Sequence, residues 1–88
     1  MEKYEEIFTE AFGKELKSLD NSMRAVALKK IRKIIKNPLA GKPLSGGVRR
    51  FSERFLNQRI IYELEGNKLT FVTVGNRDTV YRNLKYLL

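Results

Sequence analysis

Among the 88 residues, the side chains whose type and spacing could do chemistry are arginines. Arg54 lies near the end of one alternating run, Arg59 near the start of the next, and Arg77 just after a third. The runs are Val48–Phe55, Gln58–Leu64 and Lys68–Val74, each with the period of two that marks a β-strand. In the first, Arg50, Ser52 and Arg54 point one way and Phe51 and Phe55 the other. Leu56-Asn57 and Gly66-Asn67 read as two-residue connections, with Gly66 supplying a positive φ. A register follows: Arg54 opposite Arg59, Arg50 opposite Glu63, Tyr62 opposite Phe71, and Arg59 opposite Val74. Like charges facing each other across a ladder repel, so pairing Arg54 with Arg59 and adding Arg77 beside them needs a reason. Guanidinium forks match phosphate oxygens bidentately, which makes a site for phosphate groups one reading. The other is three solvated arginines on a basic surface.

The rest of the chain must position these residues. Tyr4–Phe8 is a short aromatic-rich run, read as a strand. Thr9 is a fitting N-cap for a helix from Glu10, with Ala11, Phe12, Leu16 and Leu19 as its buried stripe. Asp20-Asn21-Ser22 stops that helix and caps another, so the spacing predicts an antiparallel α-hairpin. The second helix, roughly Met23–Lys36, has Ala27, Ile31, Ile34 and Ile35 on one face and Arg24, Lys29, Lys30, Arg32, Lys33 and Lys36 on the other. No acid interrupts this stretch, so no i,i+4 pair relieves the repulsion. The basic face suits a nucleic-acid backbone, with Lys29, Lys30 and Lys33 as candidate contacts, or is an ordinary solvated face.

Asn37-Pro38 ends the helix, because the residue before a proline avoids the α region. Pro38–Gly47 lacks the spacing of a phosphate-binding loop and reads as a crossover, with Leu39 and Leu44 anchoring it on the core. Beyond Arg77, the positions of Leu84, Leu87 and Leu88 predict a short C-terminal helix. The expected fold is therefore α+β, a single domain over residues 1–88. An N-terminal strand and an α-helical hairpin precede an antiparallel three-stranded meander, and the first strand completes a four-stranded sheet. Helices would cover Phe51, Ile60, Tyr62, Leu64, Leu69 and Phe71. The other face would carry Arg50, Ser52, Arg54 and Arg59 beside an apolar strip of Ile61, Val72 and Val74. That strip calls for a cover, either the C-terminal segment or a partner.

Composition narrows the function classes. A net charge of +8 and a pI of about 10.0 point to polyanionic partners: RNA, DNA or an acidic protein. Cysteine and histidine are both absent, which excludes disulfides and thiolate chemistry. Acid–base chemistry would fall to Tyr, Lys, Glu, Asp, substrate groups or water. Without His, Cys or an acid cluster, neither a metal nor a cofactor is expected. No long apolar run or targeting segment appears, so a soluble, non-membrane protein is expected.

The same strings resemble the RelE/ParE superfamily of bacterial and archaeal toxins. The basic strand RRFSERF, the arginine opening QRIIYEL and the closing VGNRDTVY carry the resemblance, the last being similar to the family's G-[HN]-R-x-x-V-Y ending. YEEIFTEAFGKELKSLD resembles the family's first strand and helix, so the likeness spans nearly the whole chain. It implies a RelE-like fold and the toxin of a type II toxin–antitoxin system, a cytoplasmic messenger-RNA interferase acting in the ribosomal decoding site. The implied reaction is metal-independent attack of a 2′-hydroxyl on its neighbouring phosphate. The implied catalytic residues are Arg59, Arg77 and Tyr81, with Arg54 where such toxins commonly carry a basic residue. Arg50 and Ser52 would join the helix lysines as RNA contacts. The implied partners are a RelB-like antitoxin, the ribosome and mRNA.

Two departures bear on the chemistry. The family's frequent lysine pair is here Ser52 and Arg54, a loss that Arg50 could make good unless Glu63 occupies it. Asn76 stands where relatives often have histidine. Tyr81 could stack on a base, orient the 2′-hydroxyl or transfer a proton, although a phenol is a weak base near neutrality unless nearby cations favour its ionised form. Two alternatives remain: a ParE-like inhibitor of DNA gyrase, which would be expected to lack the arginine–tyrosine set, and a non-catalytic basic nucleic-acid-binding module, for which the exposed aromatic platform is weak.

Overall fold

In the computed structural model, which describes residues 4–40, 42–44 and 49–87, an α-hairpin follows a first strand and precedes the main sheet. The elements are β1 (Glu5–Phe8), α1 (Glu10–Ser18), α2 (Asn21–Lys36), a 3-10 turn (Pro38–Ala40), β2 (Lys42–Leu44), β3 (Arg50–Phe55), β4 (Gln58–Glu65), β5 (Lys68–Asn76) and α3 (Arg77–Leu87). The sheet order is β1-β5-β4-β3-β2, with β1 parallel to β5 and the other neighbours antiparallel. The α+β class and the three-stranded meander are as expected. The sheet has five strands rather than four, because Lys42–Leu44 pairs with Arg50–Ser52 at the edge. Proline is compatible with an edge strand, where its missing N–H need not face a partner. Val48 and Leu88 lie outside the described residues, as do the side chains of Leu44 and Leu87.

Capping residues set the helices where the sequence places them. Thr9 accepts from the Phe12 amide at 3.0 Å, and Asp20 accepts from the Met23 amide at 2.7 Å. Phe12, Ala27, Ile31 and Ile34 are buried against the sheet, whereas Ala11, expected in the stripe, is exposed. Arg24 leaves the basic face altogether. Its guanidinium donates to the carbonyls of Leu16, Lys17 and Leu19, the last turn of α1 and its cap, at 2.7–3.2 Å. Leu39 does not anchor the crossover, being 53% exposed. Pro38 does so instead: it is buried, and its carbonyl accepts from the Tyr62 hydroxyl at 2.7 Å.

The strand register holds at Arg54↔Arg59, Arg50↔Glu63 and Tyr62↔Phe71. It departs from expectation beyond Tyr62. Ile61 pairs with Thr73 while Tyr62 pairs with Phe71, so Val72 is an extra residue, and Arg59 faces Gly75 rather than Val74. A one-residue shift changes the face of every later side chain. Val74 therefore joins the α1/α2 core beside Ile60, Tyr62 and Phe71. On the other face, Ile61 and Val72 pack against Val80, Leu84 and Tyr81 of α3. The apolar strip is thus covered within the chain.

Around the bulge, polar side chains from the β1–α1 segment complete β5. The Thr9 amide donates to the Phe71 carbonyl and the Thr9 hydroxyl to the Val72 carbonyl, at 3.1 and 2.8 Å. Glu15 accepts from the Val74 amide and the Thr73 hydroxyl through Oε1, and from Asn83 of α3 through Oε2, at 2.7–3.1 Å. One carboxylate thus joins α1, β5 and α3. We expect Glu15→Ala to lower stability by about 2–3 kcal/mol in urea titrations, because charge-assisted bonds vanish and the Val74 amide loses its partner. Glu10→Ala is expected to cost no more than about 0.5 kcal/mol, since Glu10 and Lys14 form an exposed i,i+4 pair.

Candidate functional site

Three elements bring Arg54, Arg59 and Arg77 to one end of the sheet. Alternation along β3 sends Phe51, Glu53 and Phe55 toward α2 and Arg50, Ser52 and Arg54 toward α3. Arg59 sits directly across from Arg54. Opposite Arg59 on β5 is Gly75, where an added Cβ would stand 3.5–3.8 Å from Thr79 and Val80, so α3 packs closely over this point. Asn76 then caps α3, its Oδ1 accepting from the Thr79 amide at 2.9 Å, and so fixes Arg77 as the first helical residue. The string VGNRDTVY is thus a strand-to-helix junction, with β5 running two residues past Val74 and α3 beginning at Arg77.

Arg54, Asn57, Gln58, Arg59 and Arg77 line an open cavity of about 200 Å³. That is space for several waters, and so for a phosphodiester group. Among the described residues, none of these three guanidiniums forms an ion pair with a carboxylate. The N-terminus of α3 adds positive partial charge at the same place, partly offset by Asp78 in its first turn. Charge and size therefore make the cavity suited to a small anion.

The neighbouring groups are divided between holding and being held. Arg59 donates through Nη1 to the Ser52 hydroxyl at 3.1 Å, and Ser52 is buried. Ser52 thus orients a guanidinium, and its effect on any ligand passes through Arg59. Arg50 donates to Glu63 through Nε at 2.8 Å and also through Nη2, so it is neutralised and is not among the cavity's lining residues. Tyr81 is half-buried, with the Arg77 guanidinium 5.9 Å from its ring centroid, just inside cation–π range. Its ring supports Arg77 rather than lining the cavity.

The lysines of α2 belong to a different surface. Lys29 and Lys33 are exposed with Arg32 and Lys36, whereas Lys30 is paired with Glu53 at 3.6 Å. Glu53 faces the helix hairpin, so this ridge lies on the opposite side of the sheet from the arginine cavity. Sequence reasoning missed Asn57 and Gln58 as lining residues and Glu15 as the tie that holds α3. The position of Asn57-Gln58, in and after the turn between two arginines, was the available signal. Nothing local marks Glu15, whose partners lie 58 to 68 positions away.

No family model matches the chain, and no curated protein matches its sequence. Solved structures do match. A chain of the RelBE2 toxin–antitoxin complex from Mycobacterium tuberculosis superposes with a TM-score of 0.73 at 24% identity, covering 85% of this chain and 99% of that one. The isolated RelE toxin of E. coli gives a TM-score of 0.73 at 21% identity, over 97% of this chain and 99% of that one. A chain of the RelB–RelE antitoxin–toxin complex from Methanococcus jannaschii gives 0.70 at 23% identity, over 86% and 95%. These superpositions, over most of both chains, give this chain the RelE-like toxin fold.

Proposed function

We propose that the chain is the toxin of a type II toxin–antitoxin pair and that it cleaves messenger RNA on the ribosome. The observation that carries the reading is the cavity in which three guanidiniums from β3, β4 and α3 converge without a carboxylate partner among the described residues. Leaving them together is electrostatically costly, and a phosphodiester is the ligand that turns that cost into binding.

In the reaction we infer, the 2′-oxygen attacks the adjacent phosphorus and the bond to the 5′-oxygen breaks. The 2′-hydroxyl loses its proton and the leaving 5′-oxygen gains one, giving a 2′,3′-cyclic phosphate and a 5′-hydroxyl. Charge builds on the non-bridging oxygens in the transition state, where preorganised donors act most strongly. Arg59, oriented by Ser52, and Arg77, carried on Tyr81, are the principal donors, with Arg54 completing the clamp. The chain has no histidine, so proton transfer would fall to the Tyr81 hydroxyl, substrate groups or water. The cognate partner would be a RelB-like antitoxin, in keeping with the RelB–RelE complexes that share the fold. Exposed Lys29, Arg32, Lys33 and Lys36 would steer its acidic segments.

Single-turnover cleavage of mRNA on programmed ribosomes, with a DNA gyrase assay in parallel, tests the reading. Arg77→Ala is expected to reduce cleavage by roughly 10²-fold with an unchanged or raised melting temperature. Arg77→Lys should recover only part of the loss, since an ammonium cannot reproduce the planar fork. Ser52→Ala should cost roughly tenfold, by loosening Arg59. Tyr81→Phe retains the support under Arg77, so any loss it causes reports on the hydroxyl. A chelator should leave the chemical step unaffected while ribosomes stay intact. Wild-type cleavage by folded Arg77→Ala would defeat the clamp, and gyrase inhibition without cleavage would move the protein to the other branch of the superfamily.

Antitoxin binding makes a separate prediction. Association with a co-expressed antitoxin should weaken as salt rises, because charge steering is screened over about 10 Å at 0.1 M. An association rate that does not change between low and high salt would remove the steering role of α2.

A further inference from the structure

The meander contains two two-residue turns, and they use different residues in the same unusual conformation. Between β4 and β5, Glu65 pairs with Lys68, and the first loop residue is Gly66 at φ 60°. Between β3 and β4, Phe55 pairs with Gln58, and the first loop residue is Leu56 at φ 53°. Glycine enters this left-handed region without a steric penalty, whereas a leucine Cβ crowds the following carbonyl. Leu56 is also 61% exposed, so burial does not offset the strain. Gly or Asn would serve the turn better. Strained, exposed apolar residues that the fold does not need are candidates for contact with a ligand.

The position says which ligand. Arg54, Asn57, Gln58 and Arg59, four of the five residues lining the cavity, lie within three positions of Leu56 along the chain. The Leu56 carbonyl accepts from Arg54 Nε at 3.3 Å, which ties the turn to one of the guanidiniums. Leu56 is not itself in the lining, so its apolar side chain would meet not the phosphate but what is attached to it. In single-stranded RNA, that is an unstacked nucleobase with an exposed flat face.

We propose that Leu56 is a base-contacting residue, packing its isobutyl group on the nucleobase next to the phosphate held by Arg54, Arg59 and Arg77. The proposal rests on the RNA reading of the cavity, and deepens it by naming a contact to the base rather than the backbone. Apolar side chains serve nucleic-acid binders in this way by covering or separating bases.

The test uses the full chain and three variants: Leu56→Asn, Leu56→Phe and Arg77→Ala. Binding is measured by fluorescence anisotropy to a single-stranded RNA oligonucleotide and to an abasic ribose–phosphate oligomer of equal length. Cleavage is measured across a set of codons on programmed ribosomes. Leu56→Asn should raise the melting temperature by about 4 °C, reflecting relief of the strained turn. It should weaken binding to the base-containing RNA by about 5- to 10-fold, leave abasic binding unchanged, and flatten differences in cleavage among codons. Leu56→Phe should keep base-dependent binding. Arg77→Ala should weaken binding to both oligomers equally.

Equal binding of the base-containing RNA by Leu56→Asn and wild type, in protein of normal or raised stability, would overturn the proposal while leaving the cavity reading intact. The base contact is equally overturned if Leu56→Asn weakens only association with a protein partner. If Arg77→Ala also fails to change RNA binding, the phosphate reading of the cavity falls with it. Base-dependent loss in Leu56→Asn without cleavage by any variant would support the base contact and reject only the nuclease.

Discussion

The fold turns on a single extra residue in β5. Val72 has no partner on β4, and that omission sends Val72 and Val74 to opposite faces of the sheet. Val74 completes the core under the helix hairpin, and Val72 with Ile61 receives α3. The same shift brings Gly75 rather than Val74 opposite Arg59, at a point where a Cβ would meet Thr79 and Val80 of α3 at 3.5–3.8 Å. A bulge survives only where its displaced backbone groups find partners. Here Thr9 and Glu15 supply them, so the start of the chain stabilises the geometry that its end requires.

Glu15 also shows how a half-buried network couples distant segments. Its two oxygens serve a strand amide, a strand hydroxyl and a helix side chain, and Asn83 closes the set by donating to Thr73 at 3.0 Å. Such a network is strong when fully satisfied and costly when one member is lost. Because α3 begins with Arg77 and is tied down at Asn83, the tie and the Asn76 cap jointly hold one arginine of the cavity in place.

Basic residues are numerous in this chain, and the structure sorts them by partner. Arg24 closes the carbonyl end of α1, Arg50 is matched with Glu63, and Lys30 is matched with Glu53. Arg54, Arg59 and Arg77 are held instead by neutral groups: a backbone carbonyl, a serine hydroxyl and an aromatic ring. Neutral partners orient a guanidinium without cancelling its charge, which leaves the field of three cations at the cavity. Lys29, Arg32, Lys33 and Lys36 form a second basic surface beyond the opposite face of the sheet.

Local rules were enough for much of this protein. Alternation identified β3, β4 and β5, two short turns set the Arg54↔Arg59 and Arg50↔Glu63 pairs, and Thr9 and Asp20 marked the helix starts. The Arg54↔Arg59 pair was therefore legible from residues 50 to 65 alone, because it follows from adjacent antiparallel strands, and Arg77 was legible only as a neighbour just after the third strand. Sequence could not reveal the bulge, since Val72, Thr73 and Val74 are equally good strand formers and their faces depend on partners in α1 and α3. It also could not separate Arg24, Arg50 and Lys30 from the free cations, because their neutralising groups come from other elements. The edge strand Lys42–Leu44 and the exposure of Leu39 belong to the same class: short segments with weak local preference take the conformation that the finished sheet imposes. Local chemistry chose which residues could bind an anion, and tertiary packing decided which of them were left free to do so.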